Sequence, residues 1–221
     1  MITQTKMMIL VSKLSHKVIH YFFIILNPMC LSIYTAKGNG DCFLGFDLGT
    51  SGARMSIVEK KVGSDSNFEY TEVVTEALSW DHTMQYDNAN SWNTAIDILL
   101  SRVGGTEIMT RVKALCVSGT SASCLLVDRQ NHKASRTARM YNFDIKSSSD
   151  EISVQRVMEL IDQYVPEKHT ARATTGSLCK LLLWNEEQSV VDDNGEVKEV
   201  LQHQSDFASM SLMKEGLDIT R

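Results

Sequence analysis

The stretch DLGTSGAR, Asp47 to Arg54, gathers several groups suited to phosphate chemistry within eight residues. Transfer of a phosphoryl group needs donors that cradle phosphate oxygens, a carboxylate that holds a metal ion, and a cation set against the developing charge. Gly49 and Gly52 let the backbone approach an anion with no side chain in the way. Thr50 and Ser51 add hydroxyls, Asp47 a carboxylate able to face Mg2+, and Arg54 a fixed positive charge. The same residues also suit a plain hairpin turn, in which Asp and Gly satisfy turn geometry and bind nothing. The eight residues alone leave both readings open.

The flanking pattern says what positions this stretch. CFLGFDLG is a short apolar run closed by glycine, and ARMSIVEK resumes alternation after it, so the spacing predicts two hairpin-joined strands with the stretch as their turn. FEYTEVVTEAL predicts a third strand. In NSWNTAIDILLSRV, Trp92, Ile96, Leu99, Leu100 and Val103 recur at helical spacing, with Asn90 or Ser91 placed to cap the start. VKALCVSG and SCLLVD then read as two buried strands separated by Gly119, Thr120 and Ser121. An antiparallel hairpin before the first helix argues against a Rossmann unit, which alternates strand and helix from the outset. Three helices complete the reading: ISVQRVMELIDQYV up to Pro166, SLCKLLLWNEEQ, and, after the loop DDNG, one running through EVKEVLQHQSDFASMSLM.

Four blocks in order resemble the FGGY family of carbohydrate kinases. FLGFDLGTSGAR is similar to that family's phosphate-binding strand and turn, and VKALCVSGTSASCLLVD to its next signature. SLCKLLLWNEEQ resembles its Ser/Lys/Leu/Trp helix, and VLQHQSDFASMSL the segment usually read as HQADW. The resemblance runs from Cys42 to about Leu212. It implies an α/β fold: a ribonuclease H-like lobe of the actin/hexokinase ATPase type, a mixed sheet with flanking helices. It also implies ATP and Mg2+ as cofactors and in-line attack of a sugar hydroxyl on the γ-phosphate, with a pentulose such as ribulose or xylulose as substrate. Asp47, Gly49, Thr50, Ser51 and Arg54 become the nucleotide-side residues, with Asp47 facing Mg2+. ARMYNFDI falls where relatives bind sugar. Many carry Trp-x-Asp-x-Arg there, whereas Tyr141, Asn142, Phe143 and Asp144 are closer to the MYND form of ribulose-kinase-like members in plants and cyanobacteria. The nearby arginine is missing and Phe143 separates amide from carboxylate, so either Asn142 or Asp144 points at sugar hydroxyls. Thr120, Ser121, Tyr141, Asn142 and Asp144 are the sugar-side candidates, each equally able to serve a cap or turn.

By the same resemblance the catalytic base, an aspartate in a Gly-Asp motif, lies beyond Arg221, as does a second lobe. The expectation is the front part of a kinase, without turnover by itself, and with an inter-lobe face open to association. A non-catalytic remnant that binds sugar or a partner protein is the second reading.

Composition bounds the rest. A net charge of -5 over 221 residues, with no basic run interleaved with aromatics, lacks the footprint that nucleic-acid binding requires. The five cysteines contain no CxxC pair and read as reduced, mostly buried thiols; Cys116 and Cys124 are expected to fill the sheet core. Trp80, Trp92 and Trp184 read as core or rim packing, not a sugar platform, and DDNG as a turn, not a calcium loop. Residues 1–41 read as a leader apart from the lobe at 42–221. Lys6, Lys13 and Lys17 precede VIHYFFIIL, a form shared by targeting peptides and by an unstructured extension. The apolar run is too short for a membrane span. The compartment is accordingly cytoplasmic, or a plastid if the leader is a targeting peptide.

Overall fold

The computed structural model describes residues 40–63, 67–104 and 106–214; the leader, apart from Gly40 and Asp41, lies outside them. Among the described residues no helix is long and apolar enough to cross a membrane. They divide into two compact units, one formed by 40–120 with 204–214 and the other by 121–203.

The first unit is built on a four-stranded mixed sheet in the order β3-β2-β1-β4. β1 (Asp41–Leu48) and β2 (Gly52–Val62) form the expected hairpin, β3 (Phe68–Ser79) extends it antiparallel, and β4 (Val112–Gly119) lies parallel to β1. A parallel return needs a crossover. α1 (Ala89–Val103) supplies it, followed by the short α2 (Glu107–Thr110). Leu44, Phe46 and Leu48 of β1 and Ala53, Met55 and Ile57 of β2 alternate onto one buried face, with Trp92, Ile96 and Leu99 of α1 also buried. The Trp92 ring meets Phe207 of α5 (Gln204–Lys214) edge-on, centroids 6.2 Å apart. Burying side chains of this size contributes about 1.5–3 kcal/mol each.

Two details of this unit differ from expectation. α1 is capped by Asn88, whose side chain accepts the Asn90 N–H at 2.9 Å, not by Asn90 or Ser91. The helix begins one residue early, so the cap moves ahead of it. Cys116 is exposed. It pairs in register with Gly45, on the sheet face opposite the buried one of Leu44 and Phe46.

The second unit holds β5 (Cys124–Asp128) paired antiparallel with β6 (Glu199–His203), α3 (Glu151–Tyr164) and α4 (Ser177–Glu187). Ile145, Val157, Ile161, Leu182 and Leu183 make one apolar cluster; Cys124, Leu126, Trp184 and Leu201 make another. The expected long helix through EVKEVLQHQSDFASMSLM is instead a strand followed by a helix. Glu199 to His203 pair residue for residue with Asp128 to Cys124. Arg136 grips both carboxylate oxygens of Glu199, at 3.1 and 2.5 Å, and also donates to the Trp184 carbonyl at 2.8 Å. A strand this short takes its state from the edge it completes, not from its own periodicity. DDNG is the expected turn: Asp192 Oδ1 accepts from the Asn194 and Glu196 N–H groups, and Gly195 sits at φ 76°.

Candidate functional site

The hairpin register places Asp47 opposite Arg54, so Gly49 to Gly52 make the turn itself. The Gly49 N–H donates to the Gly52 carbonyl at 2.9 Å and closes it. β3 contributes the brace. Ser79 pairs with Gly52, which brings the next residue, Trp80, alongside. Its backbone N–H donates to the Ser51 carbonyl at 3.2 Å and its indole N–H to the Gly49 carbonyl at 2.9 Å. Three of the turn's four carbonyls, those of Gly49, Ser51 and Gly52, are therefore spent, while the donors of Thr50 and Ser51 are not. Thr50 and Ser51 are exposed, and their hydroxyls and N–H groups have no partner among the described residues. Asp47 and Arg54 are exposed on either flank. A turn with such unspent N–H and O–H donors suits an anion.

The two glycines of the turn are not equivalent. A Cβ on Gly52 would lie 1.9 Å from the Leu78 carbonyl oxygen, so β3 alone demands glycine there. A Cβ on Gly49 would meet only the Gly52 carbonyl oxygen, at an ordinary 3.5 Å. Gly49 is thus the one that leaves space a ligand would use.

Among the described residues no three His, Cys, Asp or Glu side chains gather as a metal-binding group. A resident metal held by protein ligands alone does not fit this turn. A Mg2+ that arrives on phosphate does, because it keeps waters and phosphate oxygens and needs only one or two carboxylates, of which Asp47 is one.

Of the sugar-side candidates, Thr120 belongs to the first unit. Its N–H and hydroxyl lie 2.9 and 3.0 Å from Oε1 of the fully buried Gln204. Gln204 also explains Gly119, where a Cβ would come within 2.9 Å of the same oxygen.

The second unit brings the remaining candidates together. Lys180 of α4 is fully buried, and its ammonium donates to the carbonyls of Ala122 at 2.8 Å and Met140 at 2.6 Å. Those carbonyls belong to the neighbours of Ser121 and Tyr141. A second link joins the same loops: the Tyr141 N–H donates to the buried Ser123 hydroxyl at 2.9 Å. Burial holds the Lys180 pKa below the ordinary lysine value, and the charge of Arg139 depresses it further.

Arg139 secures the other side of the loop. Its guanidinium lies over the rings of Phe143 and Trp184, 4.8 and 4.5 Å from their centroids, and donates to Glu187 at 2.5 Å and to the Lys180 carbonyl at 3.1 Å. Phe143 packs against the Ile145 cluster. What remains free at the surface is Ser121, Tyr141 and Asn142, all exposed, with no side-chain partner among the described residues. Asp144 is already engaged: its Oδ1 accepts the Lys146 N–H at 2.9 Å and caps a short 3-10 helix.

Sequence reasoning missed Trp80 as the brace of the turn and Arg139 and Lys180 as the supports of the loops. For Lys180 the signal was present, a lysine inside the apolar run SLCKLLLW. Trp80 and Arg139 carry no comparable mark.

No protein-family model matches the chain. Among solved structures, a xylulose kinase from Bifidobacterium adolescentis superposes with TM-score 0.54 at 15% identity, over 79% of this chain and 34% of that one. A Plasmodium falciparum glycerol kinase with ADP follows at TM-score 0.44 and 14% identity, covering 81% of this chain and 36% of that one. A gluconate kinase from Lactobacillus acidophilus reaches TM-score 0.33 at 10% identity over 56% of this chain. The chain therefore spans about a third of the xylulose kinase's length. A mixed sheet flanked by helices, arranged as in that sugar kinase, is the fold of this chain, an α/β fold of the actin/hexokinase ATPase type.

Proposed function

We propose that this chain is part of an ATP-dependent kinase of a small pentulose-like sugar, in which the Gly49–Gly52 turn receives the phosphates and the loops carrying Ser121, Tyr141 and Asn142 receive the sugar. The observation that supports this reading best is the turn: three of its four carbonyls occupied, the four N–H and hydroxyl donors of Thr50 and Ser51 unspent, one acidic and one basic side chain at its flanks. A hairpin serving only to reverse the chain has no need of a tryptophan to consume its acceptors.

In this reading Thr50, Ser51 and the turn's N–H groups hold phosphate oxygens, and Arg54 stands against the charge on the transferring group. Asp47 would hold Mg2+, which supplies neutralisation of the phosphate oxygens when bound. Asn142 and Tyr141 offer an amide and a phenol to sugar hydroxyls; a site built to pair with hydroxyls rejects analogues that lack them. Positioning and electrostatics supply nearly all of phosphoryl-transfer catalysis.

The test is to express the protein from its complete transcript and assay ATP-dependent phosphorylation of D-ribulose, D-xylulose, ribitol and glycerol, with Asp47→Ala as control. Phosphorylation of a pentulose, lost in Asp47→Ala, is expected. A folded protein that phosphorylates none of the four overturns the enzyme reading.

A further inference from the structure

Among the polar groups of the second unit, one buried cation has no acidic partner. Lys180 is 0% exposed and is held by two backbone carbonyls instead of a carboxylate. An ammonium out of water costs several kcal/mol unless it is well hydrogen-bonded. A leucine would fill an apolar helix face at no such cost. The charge must therefore do something that packing does not.

The carbonyls it holds indicate what. Ala122 sits at φ 61°, the left-handed region that a side chain adopts at a cost of order 1 kcal/mol. The strained residue directs its carbonyl at Lys180, and the Met140 carbonyl comes to the same ammonium from the other loop. The Ser123 hydroxyl repeats the link one residue further along each loop, accepting from the Tyr141 N–H. Beyond the backbone pair of Cys124 with Arg139, where the two segments meet, these two crosslinks fix 121–123 against 140–142, whose outward groups are Ser121, Tyr141 and Asn142. A fixed geometry of this kind is what hydroxyl recognition requires.

We propose that Lys180 is the positioning residue of the sugar-side loops, its two carbonyl contacts setting the spacing between Ser121 and the Tyr141–Asn142 pair. The sugar itself rests on the function proposed above; the crosslink does not.

The test compares the full chain with Lys180→Met and Ser123→Ala, each removing one link. Hydrogen exchange is measured on segments 121–123 and 140–143 against β5 and β6, and titrations use D-ribulose, D-xylulose and, for the turn, inorganic tripolyphosphate. Lys180→Met is expected to raise exchange in the two loops tenfold or more with β5 and β6 unchanged, and to weaken pentulose binding about tenfold while tripolyphosphate binding stays as in the parent. Ser123→Ala is expected to do the same at a few-fold level, and carries the test alone if Lys180→Met does not fold. Loop exchange unchanged, or raised equally in β5 and β6, overturns the proposal. If the parent chain binds neither pentulose while loop exchange still rises selectively, the crosslink stands and the sugar reading falls.

Discussion

In the four-stranded unit, the turn after β1 is held by backbone hydrogen bonds and one indole, with Thr50 and Ser51 left exposed. In the other unit, the loops at 121–123 and 139–144 are held from beneath by two buried cations, Lys180 and Arg139. The difference follows from what each surface presents. A phosphate is bound by N–H and O–H donors, which a turn supplies once its carbonyls are occupied elsewhere. Discrimination among hydroxyls depends on side chains kept at fixed separations, which loops achieve only when anchored. The first region is therefore expected to fail through backbone geometry and the second through lost anchors.

Gly52→Ala is the harshest way to break that contrast. Its Cβ would stand 1.9 Å from a backbone carbonyl that β2–β3 pairing prevents from yielding. A loss of about 3 kcal/mol or more is expected in denaturant unfolding. Gly49→Ala, with only an ordinary contact at 3.5 Å, should stay within about 1 kcal/mol of the parent. Equal losses from the two would show that the turn is rigid throughout and that Gly49 offers no space to an anion.

Next in size are the anchors. Arg139→Met removes two ring contacts and the hydrogen bonds to Glu187 and the Lys180 carbonyl, and about 2 kcal/mol of stability should go with them. Arg54→Met removes an exposed charge and should alter stability by less than about 0.5 kcal/mol while weakening tripolyphosphate binding several-fold. Calorimetry and thermal unfolding on the same pair of variants separate the effects. Reversed behaviour would exchange the roles assigned to the two arginines.

The elements framing the turn were readable from the sequence because β1 and β2 alternate cleanly and the glycines mark their junction. α1, α3 and α4 were equally legible from helical spacing. β6 was not, since its strand state comes from the β5 edge and from Arg136 gripping Glu199 across a separation of 63 residues. The support under the loops escaped for the same reason: Lys180 reaches carbonyls 58 and 40 residues away, and no local pattern encodes which backbone groups will meet it. Candidate residues at the surface were nameable from their types. Which of them were already committed, as Thr120 is to Gln204 and Asp144 to its cap, depended on partners supplied by folding.

The buried thiols sharpen the comparison through pH. Burial raises Cys124 and Cys179 of the second unit from 9.0 to about 11. The unfolded chain releases those protons first, so their contribution is full below pH 9 and is lost as pH rises through about 11. Lys180 acts with opposite sign: its lowered pKa means that the unfolded chain holds the extra proton, so its contribution grows as pH approaches the ordinary lysine value. Each thiol should lower the unfolding free energy by about 2 kcal/mol between pH 9 and about 11, so Cys124→Ala should make the alkaline fall about 2 kcal/mol smaller, whatever cavity cost it adds at neutral pH. An unchanged alkaline fall in Cys124→Ala would mean that the buried Cys124 thiol is not one of its sources.

The smallest expected effect decides which polar group of the loop meets a sugar. Asn caps a helix as well as Asp does, so Asp144→Asn keeps the bond to the Lys146 N–H and should change stability by less than about 0.5 kcal/mol. Asn142 is exposed and its side chain has no hydrogen-bond partner among the described residues, so Asn142→Ala should be equally silent in unfolding. Any difference between them must then come from ligand. With its carboxylate committed to the cap, Asp144 has less to offer than the unspent Asn142 amide. Pentulose affinity measured calorimetrically should accordingly fall at least tenfold in Asn142→Ala and less than twofold in Asp144→Asn. The opposite ranking would mean that the free oxygen of the Asp144 carboxylate reaches the sugar even while the other caps the helix, and Asn142 would then be a surface residue of the loop.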